Sequence, residues 1–434
     1  MAQHERRTLL SSSARVQVPW IKVTIGKYTF GVYSVSDPQR RLDDDGHFFD
    51  AINVQYPNYV QSLDIVKVNG QINQYTLNLS YPVTQFDDPN FFEKVFSSVS
   101  KTRKIVFSYG DMSMPKYIYR EEEAMITKVS SSFNLQGGVI NYVVNAVSSA
   151  ALNAGQSFTF QGGYKKPSDE IKKVFRNSNY GLQKLFTGMN DSNLDTLIDG
   201  HDKFVQLEAK RNISALDYIM YLTSCMIPDS WKKDETTETD IFVLTIHDDT
   251  SLDEDYRDEV VKSGSYFKVE RMTYKTNRSD AYQIDIGFGN TGTIVTNFSI
   301  TDDQNYSLLY QYGEDLNISQ YVERIDSNGN LVTVWSPQML SKNQQSRVKS
   351  SDVTWWTRVT QFPIKGTITV QGLLRPAILM NYIRLNVIFP GGHKHISSGL
   401  YLVTSQKDTI NGTSGYKTTL GITKISGDDS PYIN

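Results

Sequence analysis

Cysteine is nearly absent: Cys225 is the only one in 434 residues. A lone cysteine cannot staple a fold, and such scarcity fits a chain that folds in a reducing compartment. Cys225 lies in a helical pattern and reads as a small buried apolar residue. An excess of charge is missing too. Lys and Arg number 44 against 47 Asp and Glu, a net charge of −3. That excludes a domain that grips nucleic acid through a general basic surface. No apolar run approaches the roughly 18 residues that cross a bilayer as a helix. The opening stretch, MAQHERRTLLSSSARVQVPW, has basic side chains but no apolar core of about 7–15 residues. It reads as a polar arm and not as a secretory signal.

Catalytic signatures are also lacking. There is no P-loop, zinc knuckle, kinase signature or G-x-S-x-G elbow. A few short patterns invite a chemical reading. Gly287-Phe288-Gly289-Asn290-Thr291-Gly292 has dinucleotide-loop spacing. A nucleotide site needs a helix next, to offer its N–H groups to the pyrophosphate. TIVTNFSIT follows instead, a β-type run, so a Gly-rich hairpin or bulge is the better reading. His393 and His395 alternate at an expected hairpin tip and bring no third ligand nearby in sequence. His247-Asp248 could be half of a hydrolytic pair but has no nucleophile setting. Glu121-Glu122-Glu123 lacks a second acid at a glycosidase separation and reads as an exposed loop. Asp43-Asp44-Asp45 reads as a solvated loop, because a cation site needs ligands spaced by a defined turn. Sequons such as those at Asn297 and Asn411 have no meaning without secretion. The sequence names no catalytic, cofactor-binding or metal-ligating residue.

What is present is aromatic and β-branched. The 26 Tyr and 20 Phe, with recurring Thr, Val and Ile, favour strands. Helix formers concentrate between Lys166 and Thr223. There Ile171, Val174 and Phe175, then Leu182, Leu185 and Phe186, then Leu216, Ile219, Met220 and Thr223 make apolar stripes. Pro228 ends this region. The length calls for two to four domains. Polar stretches at 149–163, 229–238 and 342–352 are candidate boundaries. The fold class is mainly β with an α+β middle.

The strand patterns repeat. Ile364, Ile368, Val370 and Leu374 alternate with mostly polar neighbours and stop before Pro376. Strands follow at Ile383–Phe389, Leu400–Gln406 and Tyr416–Ile425, the last pair across Asn411-Gly412 and Ser414-Gly415. Earlier, Tyr75, Leu77, Leu79 and Tyr81 alternate and stop at Pro82. Lys104–Asp111, Ala124–Ser130 and Val139–Ser148 then follow, with a Gly137-Gly138 turn. From Thr127 to Ser148 and from Thr404 to Ser426 the lengths differ by one residue. Strand order and turns agree, and so does an apolar spacer, Phe91, Phe92, Val95 and Phe96 after Pro82 and a short apolar segment after Pro376, which is the pattern of an internal duplication.

The C-terminal set resembles the hub proteins of phage tails and related contractile injection machines. The positions that carry the resemblance are Val370, Gly372, Leu374 and Pro376; Gly399, Tyr401, Val403 and Thr404; and Gly415, Tyr416, Thr418, Leu420, Ile422 and Lys424. It covers roughly 60 residues sharply and the rest diffusely. The resemblance implies two tail-tube-like β-barrel domains with an inserted α+β domain. On that reading residues 1–19 are a flexible arm and 20–150 the first barrel. Residues 164–345 are the α+β domain and 353–428 the second barrel, which strands from 266–301 could complete. It implies a homotrimeric structural virion component, not an enzyme, without cofactor or metal. Such a hub joins the hexameric tail tube to the trimeric central spike. It lines a channel that passes DNA without specific binding. Implied partners are a tail tube or distal tail protein, a central spike protein, and tape-measure and wedge proteins, with no membrane insertion by itself. Its place would be the baseplate of the virion, assembled in the host cytoplasm. Leu400–Gln406 and Tyr416–Ile425 are the expected inter-barrel contacts, and the tips around Gly137 and Gly391 would engage the neighbouring ring. The alternative is a receptor- or glycan-binding tail protein with Trp355-Trp356 as a stacking platform. A third reading is a spike-associated cell-wall hydrolase.

Overall fold

The computed structural model describes residues 19–32, 56–57, 59–82, 95–96, 103–111, 119–229, 241–248, 261, 264–272, 282–287, 295–302, 321–325, 331–335, 364–371, 379, 382–389, 391–395, 397–411 and 415–427. The arm at 1–18, the three aspartates at 43–45, most of the glycine-rich loop at 288–294 and Trp355-Trp356 lie outside them.

The chain begins with β1 (Pro19–Ile25), β2 (Tyr28–Val32), β3 (Tyr56–Pro57), β4 (Val60–Val68), β5 (Gln74–Pro82), β6 (Lys104–Asp111), β7 (Tyr119–Asn134) and β8 (Val139–Ser148). Four short strands come next: β9 (Phe158–Phe160), β10 (Gly163–Lys165), β11 (Val205–Leu207) and β12 (Lys210–Ile213). The helices α1 (Pro167–Arg176), α2 (Leu182–Leu185) and α3 (Leu194–Leu197) lie between β10 and β11, and α4 (Ala215–Ser224) follows β12. Then follow β13 (Ile241–His247), β14 (Tyr266–Met272), β15 (Tyr282–Gly287), β16 (Val295–Asp302), β17 (Tyr321–Ile325) and β18 (Leu331–Trp335). The last four are β19 (Ile364–Gln371), β20 (Tyr382–Ile388), β21 (Gly399–Asn411) and β22 (Gly415–Gly427). The protein is mainly β.

One 14-stranded sheet holds both ends of the chain. In the first unit the order across the sheet is β4-β5-β8-β7-β6-β1. In the second it is β16-β19-β22-β21-β20-β15. Strand for strand these are the same order, and β15 precedes its unit's other strands in the chain as β1 does in the first. The common neighbours are antiparallel in both units. The outermost strand differs: β1 runs antiparallel to β6, whereas β15 runs parallel to β20.

The irregularities repeat as well. β4 carries a bulge at Gln61, between Val60 and Ser62. β16 carries one at Thr296, between Val295 and Asn297. β7 bulges at Thr127 and β21 at Thr404. The Thr127 hydroxyl donates to the Asn145 carbonyl at 3.1 Å, and the Thr404 hydroxyl to the Gly421 carbonyl at 3.3 Å. A bulge fixes register because it leaves one residue unpaired at a defined point. Starting from the β4 and β16 bulges, Leu79 answers to Val370, and their partners Tyr142 and Thr418 answer to each other. Counting along β8 and β22 then equates Asn145 with Gly421, the residues that receive the two threonine bonds. Two independent markers therefore give one alignment.

That alignment superposes the cores. Leu77, Ile105, Phe107, Ile126 and Val144 of the first unit answer to Ile368, Ile383, Leu385, Val403 and Leu420 of the second, and all are buried. Ala124 answers to Tyr401, and Tyr75 to Gly366, so bulk has moved between strands. Among the described residues no strand pairing closes either unit into a barrel. The described strands of each unit form a bulged sheet.

The helices form a separate core with β13 and β14. Ser214 caps α4, its hydroxyl accepting from the Asp217 N–H at 3.0 Å. Pro167 starts α1, and the stripe Ile171, Val174 and Phe175 faces inward. Leu182, Phe186, Leu216, Ile219 and Cys225 are buried in the same core, with Leu185 and Met220 at its margin. β13 packs on both sides. Phe242, Leu244 and Ile246 face the helical core, while Val243 packs on Tyr382, Leu400 and Leu402 of the second unit.

Candidate assembly interface

Among the described residues the two sheet units are joined by one strand pair, β4 with β21. β21 is long enough to use one edge twice. Its residues Gly399–Leu402 pair with β20, and Ser405–Asn411 pair with β4 of the first unit. The register sets Ile410 opposite Leu63 and Asp408 opposite Ile65. Ile410 and Tyr416, though in the second unit, are buried in the first unit's core. Lys407 reaches Asp64 diagonally at 3.4 Å. Asp408 is buried and accepts from the Thr418 hydroxyl at 2.8 Å and the Gln406 amide at 2.9 Å. Of the expected contact Leu400–Gln406, the last two residues pair across the seam; Tyr416–Ile425 pairs with β21 and β19, while its first residue, Tyr416, is buried in the first unit's core.

The β4–β5 turn ties all three parts together. Gly70, at φ 67°, offers its N–H to the Leu244 carbonyl of β13. The Asn69 N–H donates to the Thr404 carbonyl at the β21 bulge. Asn73 donates to the Ile246 carbonyl and to Asp248. Behind this turn lies a buried polar network. Glu122 accepts from Lys67 at 2.6 Å, Tyr109 at 2.7 Å and Tyr75 at 2.7 Å. Asp248 accepts from Ser148 at 2.6 Å and Asn73 at 2.8 Å, and Tyr75 lies 3.2 Å away. Tyr75 has one hydroxyl proton. Its shorter contact takes that proton to Glu122, so a protonated Asp248 can donate to Tyr75 Oη.

The pH behaviour follows from that geometry. Burial pushes the Asp248 carboxyl up to about 6; the bonds from Ser148 and Asn73 oppose this, and nearby Glu122 adds to the rise. In the unfolded chain an aspartate ionises near 4. The folded form therefore holds the proton more tightly. The stabilisation is whole below about pH 4 and is lost as pH rises through about 6. The gap corresponds to an energy on the order of 3 kcal/mol. Asp248→Asn should keep the bond from Ser148, let its amide donate to Tyr75, lose the bond from Asn73, and lose the titration. Unfolding midpoints of the two proteins, followed from pH 4.5 to 7.5, should diverge in favour of the variant. Parallel profiles would refute the assignment.

The chemical motifs noted in the sequence do not converge. Glu121–Glu123 is strand, not loop: β7 extends back to Tyr119, and Glu122 is buried because Lys67, Tyr75 and Tyr109 satisfy it. His247 and Asp248 diverge. His247 stacks on Tyr266 at 4.4 Å and meets the Thr245 hydroxyl, while Asp248 turns into the polar network. His395 meets the Ser397 hydroxyl at 2.6 Å and sits edge-on to Phe389. Among the described residues no three of His, Cys, Asp or Glu cluster as a metal would require. Gly287 ends β15, and the next described element is a strand, β16. The network around Glu122 and the seam at Ser405–Asn411 were the features sequence reasoning missed.

No family model matches the sequence, and no curated protein matches it. Among solved structures, the chain is similar to the tail protein from Neisseria meningitidis MC58, with a TM-score of 0.46 and 10% identity over 95% of this chain and 98% of that one. It is similar to the 43 kDa tail protein of prophage MuSo2 from Shewanella oneidensis, with a TM-score of 0.48 and 7% identity over 95% and 99%. It is also similar to an E. coli component of the type VI secretion system, with a TM-score of 0.42 and 10% identity over 88% and 77%. These neighbours are tail proteins and a secretion-machine component. Likenesses this weak establish no shared activity.

Proposed function

We propose that the protein is a structural hub of a phage tail baseplate, joining a hexameric tail tube to a trimeric central spike. The observation that carries the reading is the duplicated sheet: one strand order, two matching bulges, and both copies in one continuous sheet. Three such chains would offer six similar units around one axis, which meets a sixfold tube on one face and a threefold spike on the other. In that ring each unit would complete its barrel, and the channel would pass DNA without gripping it, as the near-neutral composition allows. The helical middle, locked to both units through β13 and the β4–β5 turn, would hold the two at a fixed angle. The test is reconstitution. The full chain, mixed with a hexameric tail tube protein and a trimeric spike protein of the same virion, should form a complex containing both. Failure to bind either, with glycan binding by the lone chain instead, would favour a receptor-binding tail protein.

A further inference from the structure

The duplication leaves an imbalance. In the second unit, β21 passes beyond β20 and uses Ser405–Asn411 to pair with β4. In the first unit, β7 likewise passes beyond β6, and no described strand meets the extension. It pairs β6 only through Tyr119–Met125, and its edge from Lys128 to Asn134 has no strand partner on that side among the described residues. At the far end of the sheet β16, the counterpart of β4, pairs β19 on one side and no described strand on the other. Among the described residues, each unit thus ends in a strand edge with no paired neighbour. The two edges match the two halves of a seam that the molecule already contains.

We propose that the β7 edge pairs antiparallel with β16 of a second copy of this chain, in the register that the internal seam dictates. This rests on the ring reading above. The two bulge-derived correspondences fix the register. Ile410 answers to Phe133, and Leu63 answers to Phe298, so Phe133 should stand opposite Phe298 of the next chain, with Ser131 opposite Ile300. The side chains support it. Ile410 is 0% exposed in the internal seam, whereas Phe133 is 62% exposed. Phe298 and Ile300 pack only partly against their own core, while their counterparts Leu63 and Ile65 are fully buried. Phe133 would enter the second unit's core of the neighbour as Ile410 enters the first unit's core within the chain. A bare, long strand edge is a liability that folded proteins cover. The contact is head to tail, so repetition closes a ring when the rotation allows it.

Paired cysteines test the register. Directly opposed residues on antiparallel strands lie close enough for a disulfide, and Cys225 is buried and out of play. Under mild oxidation, the full chain carrying Phe133→Cys and Phe298→Cys should form disulfide-linked multimers. Ile410→Cys with Leu63→Cys should close within one chain and serves as the positive control. Ser132→Cys with Phe298→Cys places the thiols on opposite faces and should not link. Phe133→Lys should leave the melting profile of the single chain unchanged and weaken self-association by at least about 30-fold, the effect of losing an interface hot spot. Equal linking by the Ser132 pair, or a chain that stays monomeric, overturns the proposal. A closed multimer without the Phe133–Phe298 link overturns this register and leaves the hub reading standing. Linked multimers that bind neither tube nor spike support this pairing and refute the hub.

Discussion

Replacing Lys67 by methionine should destabilise the protein by about 3–5 kcal/mol, the usual result of stripping a buried carboxylate of its counter-ion. Glu122 has a side chain 1% exposed, and Lys67 reaches it at 2.6 Å from a side chain 17% exposed. Two tyrosine hydroxyls also point at that carboxylate, but neither brings charge. Without Lys67 the buried carboxylate loses the ion pair seen at 2.6 Å. Adding Glu122→Gln to Lys67→Met should recover much of the loss, because a neutral amide does not need an ion. A double-mutant cycle read by chemical unfolding gives the coupling. Single and double variants with equal losses would mean the pair matters little. The effect should also appear at the domain junction, since Tyr75 links Glu122 to Asp248 beside β13.

A second large effect is expected at Gly366. It lies on β19 opposite Ile300 of β16 and Ile422 of β22. A Cβ there would meet the Ser299 carbonyl and the Ile300 Cδ1 at distances real contacts do not reach. The nearer obstacle is backbone, so it cannot swing aside. Gly366→Ala should cost about 2–3 kcal/mol, as overpacking does, and should loosen β16 from β19. Hydrogen exchange should then quicken in Val295–Asp302 before it quickens elsewhere. Gly155→Ala is the control: a Cβ at Gly155 meets nothing within 4 Å, and the change should be near neutral. Unchanged exchange in β16 would contradict the packing described.

Much of the duplicated sheet was readable because each strand buries one face and therefore alternates. Leu77 and Leu79, like Ile368 and Val370, announce their strands without help from distant residues. The edges were not readable. Nothing in Tyr282–Gly287 says that it will run parallel to β20, since direction depends on the route the chain takes between strands. Glu121–Glu123 misled for a similar reason. Three adjacent acids suggest solvent, and the partners that bury Glu122 are 13, 47 and 55 residues away. The seam was missed because Gln406 and Asp408 look like outward residues. They are buried, and Thr418 and their own side-chain bond satisfy them.

The most direct measurement is the symmetry of the purified full chain in single-particle electron micrographs. A hub built on a duplicated sheet should appear as three copies in a closed ring, with a central opening and six similar lobes around it. A lone chain, or a twofold pair with no opening, would contradict it.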